Sequence, residues 1–381
     1  MRIEACRICN NKNLIEIGSL GDIAISDFPH IPSEGTKYPL TLVYCEECTL
    51  LQLAHNTPRE LLYKDYWYQS HINPIIVEDL KEIAANVENG SHIDIGANDG
   101  TLLKYSNATV KFAVDPSNIK PVVGEWINDY WEETKIHFQV KYITAIACLY
   151  DLPDPNKFMR KIKNSLQEDG VFISQLMTLQ PFIDNNDVGN ICHEHLEFYS
   201  YKSLVRLFEQ NGLEIFRVEE NNMNGGSYRL FARHLKNGSI DFREKEYTVE
   251  DLKDFFKRIE HNKALFLMYF SSKDREGLKI YGYGASTKAN TILQYYGFVP
   301  KDTKVVLPSD SVQIRGILDV NPLKVGHYTV GSNIPIYSEL PEEPDYLWVF
   351  PYGFIDYFRE KETWFKEHWV TTIPEFKVYE K

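Results

Sequence analysis

The stretch Asp94-Ile-Gly-Ala-Asn-Asp-Gly100 restricts what this chain can fold into more than any other segment. It follows a short apolar lead, His92-Ile93, and precedes Thr101-Leu-Leu-Lys104, which reads as the start of a helix. An acidic residue, a glycine turn and a helix N-terminus therefore stand in strand–loop–helix order. Val110-Lys-Phe-Ala-Val-Asp115 reads as a second strand that also ends in a carboxylate. Nucleotide-type cofactors bind at such places, because glycine lets the backbone approach a ligand and the strand ends define a crevice. The spacing Asp-x-Gly-x-x-x-Gly differs from the dinucleotide fingerprint Gly-x-Gly-x-x-Gly. Taken alone, the motif also fits a glycine-rich turn in an unrelated α/β protein.

Further strands and helices alternate after it. Val140–Ala147 reads as a buried strand whose end, Cys148-Leu-Tyr150-Asp151, reaches the same rim as the glycine loop. An amphipathic helix is expected from Pro155 to near Gly170, then a strand over Val171–Met177. Ile76–Val87 and Lys202–Asn211 carry apolar residues at helical spacing, and Leu213–Val218 and the stretch after Gly225-Gly226-Ser227 read as closing strands. This order predicts a parallel sheet with ligands at the carboxyl ends of its strands.

Four of the six cysteines form two pairs, Cys6-x-x-Cys9 and Cys45-x-x-Cys48. Two such knuckles are what a four-thiolate zinc site needs, and four thiolates leave no open coordination position. The ion is therefore expected to be structural. A redox Cys-x-x-Cys would stand once, near a βαβ pattern. The segment between the knuckles alternates short apolar runs with turns and reads as a small β-rich zinc ribbon. It is too small to bury much surface alone, and bound zinc contributes folding free energy.

The chemistry candidate is Cys192-His193-Glu194-His195-Leu196-Glu197. Imidazole suits proton transfer near neutral pH, and a neighbouring carboxylate can fix its tautomer. The cluster could instead hold a metal or be structural, although no His-Glu-x-x-His spacing is present. Tyr63–His71 is an aromatic run with interleaved polar groups, suited either to lining a cleft or to packing a seam between domains.

With 381 residues and 43% apolar side chains, the chain can form two or three domains with real cores. A net charge of −13 argues against nucleic acid as the main partner. No uninterrupted apolar run long enough for a membrane span occurs, and the N-terminus lacks a signal-peptide pattern. A cytoplasmic enzyme is the expectation. Aromatics make up 13%, including 24 Tyr. Such a content suits sugar-binding clefts, and it equally suits the Lys- and Asn-rich composition of an AT-rich genome.

The zinc knuckles, the Asp-x-Gly-x-x-x-Gly loop, the Glu194-His195 segment and the Gly225-Gly226-Ser227 strand occur in an order that resembles the three-domain S-adenosylmethionine (SAM)-dependent sugar C-methyltransferases. Ile280-Tyr-Gly282-Tyr-Gly284 and Ile317-Leu-Asp319-Val-Asn321-Pro322 resemble that family's carboxyl-terminal segments. The resemblance spans nearly the whole chain. It implies an α/β protein: a class I SAM methyltransferase (Rossmann-like) domain at 63–235, a zinc-binding domain at 1–62 and a C-terminal Rossmann-like domain at 236–381. It implies SAM as cofactor, held by Asp94, Gly96, Asn98 and Asp115, and a zinc ion on Cys6, Cys9, Cys45 and Cys48. His195 would remove the proton from carbon 3 of a nucleotide-linked 4-keto deoxysugar, Glu194 would orient it or bind sugar, and Tyr68, of the pair Tyr66 and Tyr68, would line the sugar site. Methylation of a sugar oxygen or nitrogen in surface-polysaccharide assembly, or a non-catalytic binding subunit, are the other readings. Two positions depart from the family pattern: Cys192 stands where a Tyr precedes the Glu, and Tyr150 or Asp151 stands where a His ends the fourth strand. Both sit beside the chemistry and bear on which sugar, and which acceptor atom, is used. Gly282 and Gly284 could mark a second nucleotide site with Asp319 as its ribose acid. That acid comes later than the usual interval of about 20 residues, so a domain that helps hold the nucleotide-sugar is the preferred reading.

Overall fold

The computed structural model describes residues 1–63, 67–272, 278–298 and 312–380. The chain divides into two compact units. The first comprises Met1–Glu16, Val43–Gln180 and Glu194–Lys245; the second comprises Ile17–Leu42, Pro181–His193 and Glu246–Lys381. The segment between the knuckles carries strands β1 (Ile15–Ala24) and β2 (Lys37–Cys45), and β3 (Leu50–Leu53) follows the second knuckle.

The first unit is built on a seven-stranded sheet. In chain order its parallel strands are β4 (Ser91–Ile95), β5 (Val110–Val114), β6 (Glu125–Ile127), β7 (Val140–Ile146) and β8 (Leu166–Met177). After the two-residue β9 (Glu197–Phe198) come β10 (Leu213–Asn221) and β11 (Ser227–His234), giving the order β10-β11-β8-β7-β4-β5-β6. Only β11 runs against its neighbours in this sheet, so the expected parallel sheet is a mixed one. The strand order turns at β4, with β5 and β6 to one side and β7 and β8 to the other. A crevice opens at such a switch point, beyond the carboxyl ends of the strands, and the glycine loop follows β4 directly. The two central strands are buried on both faces, as parallel strands covered by helices must be.

Local sequence explains the covering helices. Pro74–Ala84 starts with Asn73 accepting from the Ile75 N–H and with Pro in the first turn, and it buries Leu80 and Ile83 with Tyr142, Ile173 and Phe231. Pro155–Ser165 is capped by Asp154 and buries Phe158, Met159 and Ile162. This second helix stops short of Gly170, where the sequence placed its end. Leu166 is fully buried and pairs with Val140, so the sheet claims the chain five residues early. β9 pairs antiparallel with β3, setting Leu51 opposite Phe198 and Gln52 opposite Glu197.

The second unit holds the helix Val249–Ser272 and a six-stranded sheet. Its strands are β12 (Ile280–Tyr283), β13 (Ile314–Leu318), β14 (Ile336–Tyr337), β15 (Tyr346–Val349), β16 (His368–Thr371) and β17 (Lys377–Tyr379), ordered β14-β13-β12-β15-β16-β17. All but β17 run parallel. Much of the aromatic excess packs here: the Phe266 and Trp348 rings lie 4.3 Å apart, with Tyr296 and Phe298 beside Trp348. No helix among the described residues is long and apolar enough to cross a membrane.

Candidate active site

The two cysteine knuckles have the same backbone design. Asn10 N–H donates to the Cys6 carbonyl and Thr49 N–H to the Cys45 carbonyl, and both donors sit in the left-handed region at φ 60°. That conformation is costly for a β-branched Thr, and it turns each pair of sulfurs inward. The Cys6 and Cys48 sulfurs are 3.5 Å apart, as are those of Cys9 and Cys45, and all four lie within 4.8 Å of one another. A tetrahedral zinc ion bonded at about 2.3 Å spaces its sulfurs roughly 3.8 Å apart, so the four cysteines fit the ion. Their ionisation is linked: the Cys48 thiol holds Cys6 down to about 5, while burial pushes Cys9 up to about 12. The knuckle is sewn into the sheet's core. Asn156 Nδ2 donates to the Arg7 and Ile8 carbonyls, and Gln210 Nε2 to that of Ile8.

The glycine loop is a cradle of left-handed residues: Gly96 (φ 68°), Asn98 (φ 51°) and Gly100 (φ 80°). A Cβ on Gly100 would press on Pro121 and on the Val122 backbone at 3.1–3.2 Å, so no larger residue fits there without displacement. Asp115 ends β5 beside the loop. Its Oδ2 accepts from the Asn98 N–H at 2.7 Å and its Oδ1 from the Ser117 N–H and hydroxyl. An ionised carboxylate has about four acceptor sites, which leaves capacity for a ligand hydroxyl. Asn98 is more committed than the sequence suggested. Its side chain donates to the Tyr68 carbonyl and accepts from the Ser70 N–H. Asp99 does the same for His71, accepting from its backbone at 2.9 Å and lying 2.8 Å from Nδ1. Burial pushes the Asp99 carboxyl up, but hydrogen bonds from Thr101 and His71 outweigh it, and the net shift is downward. The loop thus holds Tyr68 in place from below. Tyr68 is half-buried, with its phenol pushed up to about 12 by burial. Tyr66 lies outside the described residues.

Asp94 is 3% exposed, and the Thr144 hydroxyl donates to it at 2.5 Å. Burial, opposed by that hydrogen bond and reinforced by Asp115 and Asp99, raises it to about 7. Thr144 lies in turn 2.8 Å from Nε2 of the buried His92. A carboxyl raised on folding stabilises the fold fully below its unfolded pKa, and that contribution is lost as pH rises towards 7. Asp94→Asn should therefore raise the melting temperature of ligand-free protein at pH 8, by the equivalent of about 1–4 kcal/mol, and change it little at pH 4. Thermal melts at the two pH values check this; an equal change at both would remove the charge argument.

Of the two imidazoles in the sequence cluster, the structure gives different work to each. His193 is buried, its Nε2 lies 3.1 Å from the Tyr38 carbonyl, and burial lowers its pKa. His195 is half-buried, and the Tyr150 ring meets it edge-on with centroids 4.7 Å apart. Glu194 is buried. Glu197 is committed to an enclosed ion pair with Arg7 at 3.4 Å. Burial pushes that carboxyl up and the guanidinium opposes it. Sequence reasoning missed Arg7, Thr144, Asp99 and Ser117. Ser117 was findable, since Asp-x-Ser is a common turn pattern.

A switch-point glycine loop, two strand-end carboxylates and a seven-stranded sheet with one reversed strand define a class I SAM-dependent methyltransferase. Family models match over three stretches: a zinc binding domain at 6–63, a methyltransferase domain at 68–218 and a C-methyltransferase C-terminal domain at 222–374. The chain belongs to the three-domain SAM-dependent C-methyltransferases. C-methyltransferase NovU of Streptomyces niveus is 24% identical over an alignment of 423 positions, gaps included, that covers 99% of this chain and 97% of that one. Among solved structures, a Burkholderia thailandensis 1,6-didemethyltoxoflavin-N1-methyltransferase aligns over 51% of this chain and 99% of its own, with 11% identity and a TM-score of 0.35. A magnesium protoporphyrin IX methyltransferase from Synechocystis PCC 6803 aligns over 42% and 79%, with 10% identity and a TM-score of 0.32.

Proposed function

We propose that this enzyme methylates a carbon atom of a nucleotide-linked 4-keto deoxysugar, with His195 as the base. The observation that carries the reading is the turn after β7. Cys148 lies against Gly96 of the cofactor loop, where an added Cβ would meet it at 3.5 Å, and two residues on Tyr150 packs against His195. The base and the cofactor loop are thus held by one short turn.

SAM, when bound, supplies the methyl group and leaves as S-adenosylhomocysteine. Asp115 would receive its ribose hydroxyls, and the loop from Asp94 through Gly96 would hold the methionine half. His195 takes the proton from the carbon beside the ketone, and the electrons of that C–H bond pass to the enolate. Imidazole is basic enough for this step when the enolate oxygen is stabilised and the reactants are aligned. Glu194 orients the base or binds sugar. Tyr68, with its phenol proton retained, faces the sugar as a donor. The reading places the protein in the cytoplasm, where reduced thiols hold zinc.

The test is hydrogen exchange. Nucleotide-linked 4-keto sugars are incubated with the enzyme in heavy water, with and without SAM, and read by mass spectrometry. Loss of the carbon-3 hydrogen together with gain of one methyl supports the reading. A methyl gain without exchange moves the acceptor to oxygen or nitrogen and removes the need for His195 as base.

A further inference from the structure

Asp151 is a carboxyl group to which the mechanism above gives no work, and its surroundings are unusual. It closes the turn after β7, donating its N–H to the Cys148 carbonyl, in a turn that begins at Ala147 with a left-handed φ of 54°. A non-glycine residue in that conformation is strained, and such strain collects at functional sites. The turn touches Gly96 through Cys148 and His195 through Tyr150, so it spans from cofactor loop to base. Asp151 Oδ1 is fully enclosed and has no hydrogen-bond partner among the described residues.

The charges around it leave little room for another anion. Burial pushes the Asp151 carboxyl well above the usual carboxylate range, Glu194 and Glu197 add to that push, and Arg59 opposes it. Arg59 is already paired with Glu132 at 2.8 Å, and Arg7 with Glu197. Clustered carboxyls without matching cations cannot all ionise. A carboxylic acid kept neutral in this way can donate a hydrogen bond to a developing oxyanion.

We propose that Asp151 stands protonated in the resting enzyme and donates a hydrogen bond to the acceptor's carbonyl oxygen, where charge collects as His195 removes the neighbouring proton. The proton stays on Asp151; no bond to carbon forms or breaks there. This rests on the carbon-methylation reading, and two measurements separate its failure from that of the reading.

The first needs no substrate. Infrared spectra of ligand-free wild type and Asp151→Asn are compared at neutral pH. A protonated carboxyl band present in wild type and absent in the variant is expected; identical carboxyl bands overturn the proposal and leave the reading intact. The second follows exchange of the carbon-3 hydrogen of a thymidine-diphosphate 4-keto-6-deoxy sugar. Asp151→Ala should lose about 100- to 1,000-fold, as removal of one oxyanion donor does. Asp151→Asn, which keeps an N–H donor, should stay within about tenfold of wild type and lose the alkaline decline that wild type shows as Asp151 ionises. Exchange at wild-type rate in the Ala variant would overturn the donor role alone. Absence of exchange in wild type, with methyl transfer observed, would overturn both.

Discussion

His195→Gln is expected to slow turnover about 100- to 10,000-fold, the range a positioned general base contributes, while SAM affinity changes by less than about twofold. Glutamine keeps the size and polarity of imidazole but cannot accept a proton near neutral pH. The loss should appear in kcat, and the exchange reaction without SAM should fall by the same factor. Wild-type turnover in this variant would remove His195 from the chemistry. His193→Gln supplies the contrast. That ring is buried against the Tyr38 carbonyl, so its replacement should lower the melting temperature and leave kcat of the folded fraction nearly unchanged. An imidazole base must be neutral to act, so wild-type turnover should also decline on the acid side, and what activity survives in the Gln variant should lack that decline.

Cys48→Ser should abolish zinc binding and with it the cooperative melting of the first unit. Structural zinc contributes on the order of 10–16 kcal/mol in small metal-dependent modules, as much as the whole stability of an ordinary domain, about 5–15 kcal/mol. Here Cys6, Cys45 and Cys48 are 1%, 0% and 3% exposed and share a hydrophobic core with Trp131, Phe158 and Phe208, which lie on the helical elements covering the sheet. The three thiols left in the variant would be crowded there with no metal ion to hold them. Metal analysis and calorimetry on the variant check this, with chelator-treated wild type in parallel. A variant that melts within about 3 °C of wild type while holding no zinc would show that the ion adds little, since such a shift is worth about 1 kcal/mol.

The parts of this molecule that were legible in the sequence are those fixed by local pattern. The loop at 94–100, the strands that flank it and the paired cysteines each announce themselves within a dozen residues, because glycine, proline and alternating apolar side chains act on their own neighbours. What was not legible depends on distant partners. Glu197 stood in the sequence cluster beside Glu194, and its ion pair with Arg7 joins residues 190 positions apart. That the Asn98 amide also ties Tyr68 and Ser70 to the loop was not legible either. The family resemblance singled out His195, but the different surroundings of the two rings, Tyr38 for His193 and Tyr150 for His195, come from distant parts of the chain. Leu166 joined the sheet early because Val140 needed a partner there.

The way the chain is shared between its two units has a consequence for how the protein is made. β1 is synthesised long before its partner, since in the second unit the Ala24 N–H is satisfied by Gln294, 270 positions later. Likewise Ser33 N–H waits for Asn333. Neither unit is a continuous stretch of the gene, so neither can finish folding as a separate product while translation proceeds. Contacts so far apart in sequence are slow to close and leave early strands unpaired meanwhile. A shortened gene that stops before Gln294 would release Ala24 without the side chain that pairs its N–H and its carbonyl. Expression of the whole 381-residue chain at low temperature, with chaperones in supply, should therefore raise the soluble yield far more than expression of either unit's segments alone.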